Sequence, residues 1–426
     1  MDRSVRTVAW LLFVSGACAL VFQTAWFREF RLVFGASTPA SAAVLAIFMG
    51  GLGLGNAILG RRADRAVNPL LLYAQLEFAI SLLSAASPML VAFVRSIYLT
   101  AGGQETLGVW GATLARLLLA AVVLGLPTFF MGGTLPAAAR AVTASDDAGR
   151  RSVGWLYGLN TLGAVLGTLL STFFLLERFG THTTLWIACA ANLLNALAAW
   201  RLSLALSLSN PPTVLPAERE KPRAKPIGQR PVAQESRTEE SPADLAPWVG
   251  YFAAGLVGCA FFLMEIVWYR MLSPILGGTT FTFGLILAVA LAGIGLGGAS
   301  YPLVFRERRP ELRSFVLTLG WEALAIAFPF ALGDRLAVLA AVLRSLAFYG
   351  FAGQALGWLV IAVIVVFPAA VVSGIQFPLL IALIGRGSRD VGKQVGQAFG
   401  WNTVGAMIGS LAGGFGLLGA LSATGV

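Results

Sequence analysis

The sequence predicts an all-α, polytopic integral membrane protein built as a parallel repeat of two six-helix units. Three observations predict it: the bulk composition, the distribution of basic residues between loops, and an internal repeat at one fixed offset. Of 426 residues, 57% are apolar and only 12% are charged, and the mean hydropathy is +0.80. A soluble domain carries about 25% charged residues. No core of this size could hide so much apolar surface from water, so lipid has to cover part of it. That excludes a water-soluble enzyme, a disordered chain and a disulfide scaffold. The three cysteines, Cys18, Cys189 and Cys259, lie in apolar runs without metal-ligand spacing, and His182 is the one histidine. Metal sites and Cys/His catalysis are therefore not expected.

The elements follow in order. Residues 7–27 follow Arg3 and Arg6, as a signal peptide would. They have no small-x-small cleavage site before Trp26-Phe27-Arg28, and further apolar runs follow, so they read as the first span. About 20 apolar residues cross a bilayer core. Such runs recur near 40–60, 69–94, 117–139, 153–176, 181–200, 248–268, 281–304, 314–333, 355–384 and 395–418, giving eleven spans. With the N-terminus inside, the inner loops hold Arg3 and Arg6; Arg61, Arg62 and Arg65; Arg140, Arg150 and Arg151; the seven basic residues of 201–246; Arg306, Arg308, Arg309 and Arg313; and Arg386, Arg389 and Lys393. These make up 22 of the 30 basic residues. Lys and Arg concentrate on the cytoplasmic side. The formal charge of +10 and the pI of about 10.1 thus report topology, and no nucleic-acid partner is expected. The stretch 204–246 is rich in Pro, Glu, Arg and Lys and reads as a disordered cytoplasmic linker. It separates a first membrane repeat, 1–203, from a second, 247–426.

A shift of 242 residues places Gly16 on Gly258, Trp26 on Trp268, Arg28 on Arg270 and Gly35 on Gly277. Gly51, Gly53 and Gly55 fall on Gly293, Gly295 and Gly297; Gly132 falls on Gly374 and Pro136 on Pro378. Gly158-x-Asn160-Thr161-x-Gly163-Ala164 falls on Gly400-x-Asn402-Thr403-x-Gly405-Ala406. The register slips only near Glu77 and Glu322. Six spans are an even number, so the second unit enters with the orientation of the first, and the repeat axis lies along the membrane normal. Val426 corresponds to Thr184 at the start of the sixth span. The second unit is therefore expected to lack its last helix, or the chain to continue.

The runs Gly16…Trp26-Phe27-Arg28…Gly35, Phe48-Met49-Gly50-Gly51-Leu52-Gly53-Leu54-Gly55, Met131-Gly132-Gly133-Thr134-Leu135-Pro136 and Tyr157-Gly158-Leu159-Asn160-Thr161-Leu162-Gly163-Ala164-Val165-Leu166-Gly167 resemble the membrane part of fused spermidine synthase-like proteins. In that family a major-facilitator-like module is joined to a polyamine aminopropyltransferase-like domain. Gly60-Arg61-Arg62-Ala63-Asp64-Arg65 also resembles the major-facilitator G-x-x-x-D-R loop signature. The resemblance implies a bacterial plasma (inner) membrane, with a nucleotide-binding soluble domain after the membrane part. The present chain has no glycine-rich strand–turn–helix. Gly51-Leu52-Gly53-Leu54-Gly55 lies inside an apolar helix and reads as a helix-packing motif. No cofactor is expected, and aminopropyl transfer would need a further C-terminal domain.

Charged groups at membrane depth are costly and are the default functional candidates. Glu265 lies deep in the seventh span, and its repeat partner is Gln23, so the two copies differ there. A carboxylate so placed is suited to accept a coupling proton or to hold a cationic amine. Glu77 and Glu322 form a second pair, facing one cavity or locking neighbouring helices. Arg28 and Arg270, beside Trp26 and Trp268, read as interface anchors or anion contacts. Asn160 and Asn402 read as packing amides or substrate contacts. Pro127, Pro136, Pro368 and Pro378 are expected to break spans four and ten. His182 has no partner in view. The expected function is a transporter-like module of a spermidine synthase-like fusion, moving or delivering a polyamine or another small amine or metabolite. The alternative is a non-transporting anchor or scaffold for a soluble aminopropyltransferase-like domain or a larger membrane complex. An intramembrane enzyme lacks a His cluster, a Ser/Lys pair and paired Asp residues.

Overall fold

A computed structural model of the chain describes residues 3–34, 38–144, 146–147, 150–209, 245–277, 280–306, 310–385, 388–413 and 417. The first unit comprises α1 (Arg3–Phe34), α2 (Thr38–Arg65), α3 (Pro69–Thr100), α4 (Gly103–Val142), α5 (Arg151–Leu170) and α6 (Leu176–Ser209). A π-helical turn, Ser171–Leu175, joins the last two. The second comprises α7 (Pro247–Leu276), α8 (Thr280–Val304), α9 (Leu312–Leu332), the short α10 (Arg335–Leu343), α11 (Gly350–Ile384) and α12 (Val391–Ala412). Within the described residues every expected span falls on a helix, and 414–416 and 418 of the eleventh lie outside them. The nine-residue α10 was not expected. It ends in a 3₁₀ turn, Arg344–Tyr349, that leads into α11.

Eight runs among the described residues are long and apolar enough to cross a membrane. One of them, Arg151–Leu206, has 56 residues. As a straight helix it would be about 84 Å long at 1.5 Å per residue, far beyond a single crossing of about 30 Å. It breaks at Gly180, whose φ of +72° is open to glycine at little cost, and so makes two crossings. The glycine-rich α2 and α12 fall outside the eight. Their repeat counterparts, α8 and α5, are both among them.

Helix α6 runs to Ser209, past the expected boundary at 203. The apolar Leu204 and Leu206 continue its pattern. Residues 210–244, most of the expected linker, lie outside the described residues. The four prolines expected to break spans four and ten lie inside continuous helices. The interruption in α4 is at Gly108 instead, with φ +65°, and its repeat counterpart Gly350 has φ +77° at the start of α11.

Glycines set the helix crossings, and the repeat holds at atomic level. A side chain at Gly163 in α5 would strike the Phe13 carbonyl of α1, and one at Gly405 in α12 would strike the Gly255 carbonyl of α7. Gly167 meets Ala17 as Gly409 meets Cys259. Gly132 of α4 meets Leu52 of α2 as Gly374 of α11 meets Ile294 of α8. Small residues let backbones approach this closely, and packing then supplies the association energy that the hydrophobic effect cannot supply in lipid.

The units meet along α5–α8 and α2–α12. Gly158 packs on Ala299, and Gly400 packs on Ala57. Residue i of one unit touches j of the other, and i + 242 touches j − 242. That reciprocity is the mark of a two-fold axis.

Candidate functional site

The end of the bundle that carries the α2–α3 loop and the N-termini of α5 and α12 is shut. Asp64, at the end of α2, accepts hydrogen bonds from the backbone N–H groups of Gly392 (2.9 Å) and Lys393 (2.7 Å) at the start of α12. A carboxylate there satisfies unpaired helix donors and opposes the positive end of the helix dipole. Arg140 lies 3.6 Å from the same carboxylate. At the pseudo-equivalent place, Arg151 Nη1 donates to the Arg306 carbonyl (2.8 Å). The N-terminus of α5 is capped within its own unit, by Asp147 on the N–H groups of Arg151 and Ser152 (both 3.0 Å).

Arg150 is fully buried between the units. Its Nη1 donates to the Ile381 carbonyl (3.2 Å) and its Nη2 to the Arg389 carbonyl (2.9 Å). Burial lowers its pKa to about 10, against the opposing pull of Asp64, Asp147 and Asp390, so it remains a cation at neutral pH. Above this layer Tyr157, Phe377 and Phe399 form an aromatic plug, with ring centroids 4.7 Å apart for Tyr157–Phe377 and for Phe377–Phe399.

Phe399 is also the floor of a central cavity of about 370 Å³. Helices of both units line it. The cavity lies on the other side of Phe399 from the shut end, and among the described residues α1 and α2 make no close backbone contact with α7. The cavity brings together Glu265, Gln23, Glu77 and Asn160 of the sequence candidates, with Ser15, Asn56 and Asn192. Glu265 is part-exposed, in a wall with Phe262, Tyr269 and Phe283. Among the described residues no Arg, Lys or His lines the cavity. Glu77 is fully buried within the opposite wall, and no donor among the described residues reaches either carboxylate oxygen in good hydrogen-bond geometry. Asn56 Oδ1 is likewise unpaired.

Other candidates lie elsewhere. Glu322 does not line the cavity; it accepts from Gln376 Nε2 (2.7 Å) and ties α9 to α11. Asn402 is also outside. The two amides nevertheless make the same packing bond, Asn160 Nδ2 to the Leu12 carbonyl and Asn402 Nδ2 to the Ala254 carbonyl, both 3.1 Å. Arg28 and Arg270 are exposed and away from the cavity, with Arg28 Nη1 donating to the Leu176 carbonyl (3.2 Å). Their neighbours Trp26 and Trp268 are buried core residues. Bulky indoles fill each unit's core, and Trp26 Nε1 donates to Ser87 Oγ (2.8 Å). His182 has a neighbour after all, with Nε2 3.7 Å from Glu29 Oε1. Sequence reasoning missed Arg150, Asn56 and the Tyr73–Asn195 pair behind Glu77. Only their polarity within apolar or loop stretches could have flagged them.

Among solved structures, the crystal structure of a bacterial homologue of the iron transporter ferroportin, in an outward-facing state, is similar. It has 13% sequence identity and a TM-score of 0.56, with 97% of this chain and 92% of that chain covered. An auto-inhibited POT-family peptide transporter superposes more loosely, at 16% identity and a TM-score of 0.38, over 97% of this chain and 88% of that chain. No family model matches the sequence, and no curated protein matches it. The likeness to the first structure is one of fold. It supports the major-facilitator-like part of the sequence resemblance and leaves the spermidine synthase-like part without support. The chain is an integral membrane protein with a transporter-like, major-facilitator-like fold.

Proposed function

We propose that the chain moves a small organic cation, an amine, through the central cavity by alternating access. The observation that carries this reading is the cavity wall itself: a part-exposed Glu265 among aromatic rings, with no basic residue beside it. A carboxylate supplies the counter-charge to an ammonium group, and ring faces attract cations at close range. Gln23, Asn160 and Thr161 offer hydrogen-bonding groups on the first unit's side. A polyamine falls within this class. A transition-metal cargo fits less well, because no cluster of three or more His, Cys, Asp or Glu occurs among the described residues.

Loop charge favours placing the shut, basic end in the cytoplasm. The cavity then faces outward, and transport requires the Asp64 and Arg150 bonds to break as the outer gap closes. The test is amine uptake into proteoliposomes containing the full chain. Glu265→Gln is expected to lower uptake of a radiolabelled diamine at least about tenfold, the scale of one lost charge-assisted contact. Wild-type uptake by that variant would overturn the role of Glu265. No uptake of any amine by the wild type would overturn the transport reading in favour of an anchor or scaffold.

The two asparagines give a paired comparison. Asn160→Ala and Asn402→Ala are each expected to cost about 1 kcal/mol of stability, because each removes the same interhelical hydrogen bond. Only Asn160→Ala is expected to slow uptake, because only Asn160 lines the cavity. Equal uptake by the two variants would assign both residues to packing.

A further inference from the structure

We propose that the first unit contains a second binding site, for a monovalent alkali cation such as Na⁺, formed by Glu77 with Ser15, Tyr73, Asn192 and Asn195 beside the central cavity. The site joins three helices of one unit: Ser15 on α1, Tyr73 and Glu77 on α3, and Asn192 and Asn195 on α6. All five residues are buried. Ser15, Tyr73 and Asn192 are the polar side chains next to the Glu77 carboxylate. They lie close enough to interact with it, but none reaches good hydrogen-bond geometry to either of its oxygens. Asn195 Nδ2 donates to the Tyr73 hydroxyl (3.0 Å), which leaves Asn195 Oδ1 without a partner as well. Asn192 Nδ2 is committed to the Glu77 backbone carbonyl (2.9 Å).

Three unpaired acceptor oxygens in one buried cluster are costly. Each forfeits its hydration without a replacement donor. A proton can serve one carboxylate oxygen, but a metal cation draws several oxygens at once. The donor set is entirely oxygen, from carboxylate, hydroxyl and amide groups, which suits a hard cation. It carries a single negative charge, and no Arg, Lys or His pairs with it among the described residues. One positive charge balances it, whereas a divalent ion would leave a buried excess.

The second unit supplies the contrast. Its buried glutamate, Glu322, receives a donor from Gln376. The position equivalent to Gln376 in the first unit is Thr134, whose hydroxyl is turned to its own Met131 carbonyl (2.8 Å). The first unit thus keeps the buried carboxylate and lacks an equivalent of the Gln376 donor. Access is from the cavity, because Ser15, Glu77 and Asn192 all contribute to its wall. Glu77 itself is fully buried, so an ion would shed its water to reach it.

The test uses the full chain purified in detergent, in the wild type and in a Glu265→Gln background that removes the cavity's counter-charge to choline, with Tm followed as NaCl replaces choline chloride at constant ionic strength. An ion that binds only the folded state raises Tm in a saturable way. The wild type is expected to show that rise, Asn195→Ala to need about tenfold more Na⁺, and Glu77→Gln to show none. If Glu77→Gln does not fold, Ser15→Ala and Asn195→Ala carry the comparison. A wild-type Tm indifferent to alkali cations, one that follows pH alone, or a saturable Na⁺ response kept by Glu77→Gln would each overturn the site. The proposal does not depend on amine transport: loss of uptake with the Na⁺ response intact would count against the cavity reading only.

Discussion

Replacing Gly163 by leucine is expected to abolish folding of the protein. The crossing of α1 and α5 leaves no room at that position, because even a Cβ there collides with the Phe13 carbonyl. Backbone cannot yield as a flexible side chain can, so the helices would have to separate along their length. Separation forfeits the close packing that holds helices together in lipid. Gly163→Ala, the smallest step, is expected to cost about 1–3 kcal/mol, the range for an overfilled interior. Gly405→Leu should fail equally, because it strikes the Gly255 carbonyl at the repeat-related crossing of α7 and α12. Gly320→Ala is the control. It is an exposed position on α9 with open space around it, and alanine is the better helix former by about 1 kcal/mol. The readout is the monodisperse yield on size exclusion, together with Tm. A folded Gly163→Leu protein would show that the α1–α5 crossing is not as close as described.

The second large effect concerns the shut end. Asp64→Asn removes the charge that caps α12 from the opposite unit, and with it two charge-assisted hydrogen bonds and the favourable interaction with the helix dipole. The combined loss is about 3 kcal/mol, or roughly a hundredfold in the balance between shut and open basic ends. Nitroxide labels at the exposed Arg62 and Arg313, one in each unit, would read it by pulsed electron–electron spin resonance. The wild type is expected to give one short distance and Asp64→Asn a second, longer one. An unchanged distribution would mean that Arg150 and the aromatic plug hold the end shut alone.

Much of the architecture was legible in the sequence, because its causes are local or periodic. Long apolar runs locate the spans, and one offset of 242 residues aligns the glycines that set the α1–α5 and α2–α4 crossings with those of α7–α12 and α8–α11. Glu265 and Gln23 were legible as a break in that repeat, and the structure places both on the cavity. Glu77 and Glu322 were legible as a pair, but their environments differ through Gln376 and Thr134, 54 and 57 residues away in the chain. Neither donor was visible as a partner. Arg150 reads as one more loop arginine until the Ile381 and Arg389 carbonyls, more than 200 residues on, are folded against it. The prolines misled in the other direction, since α4 and α11 run through them and the interruption falls on a glycine.

The reciprocal contacts across the two-fold axis have a further consequence. Two separate identical chains around the same axis would place two glutamates or two glutamines at the level of positions 23 and 265. A single chain carrying both copies can place one of each. At that level the cavity therefore has a glutamate on one side and a glutamine on the other, and a cation bound as proposed would sit off the axis, held by one half. In the proposed cycle, motion of that half would carry the cation's principal contact with it, past the glycine and alanine contacts of the other half. Covalent duplication thus gives the cavity a handle on one side, an arrangement closed to any symmetric dimer of the unit.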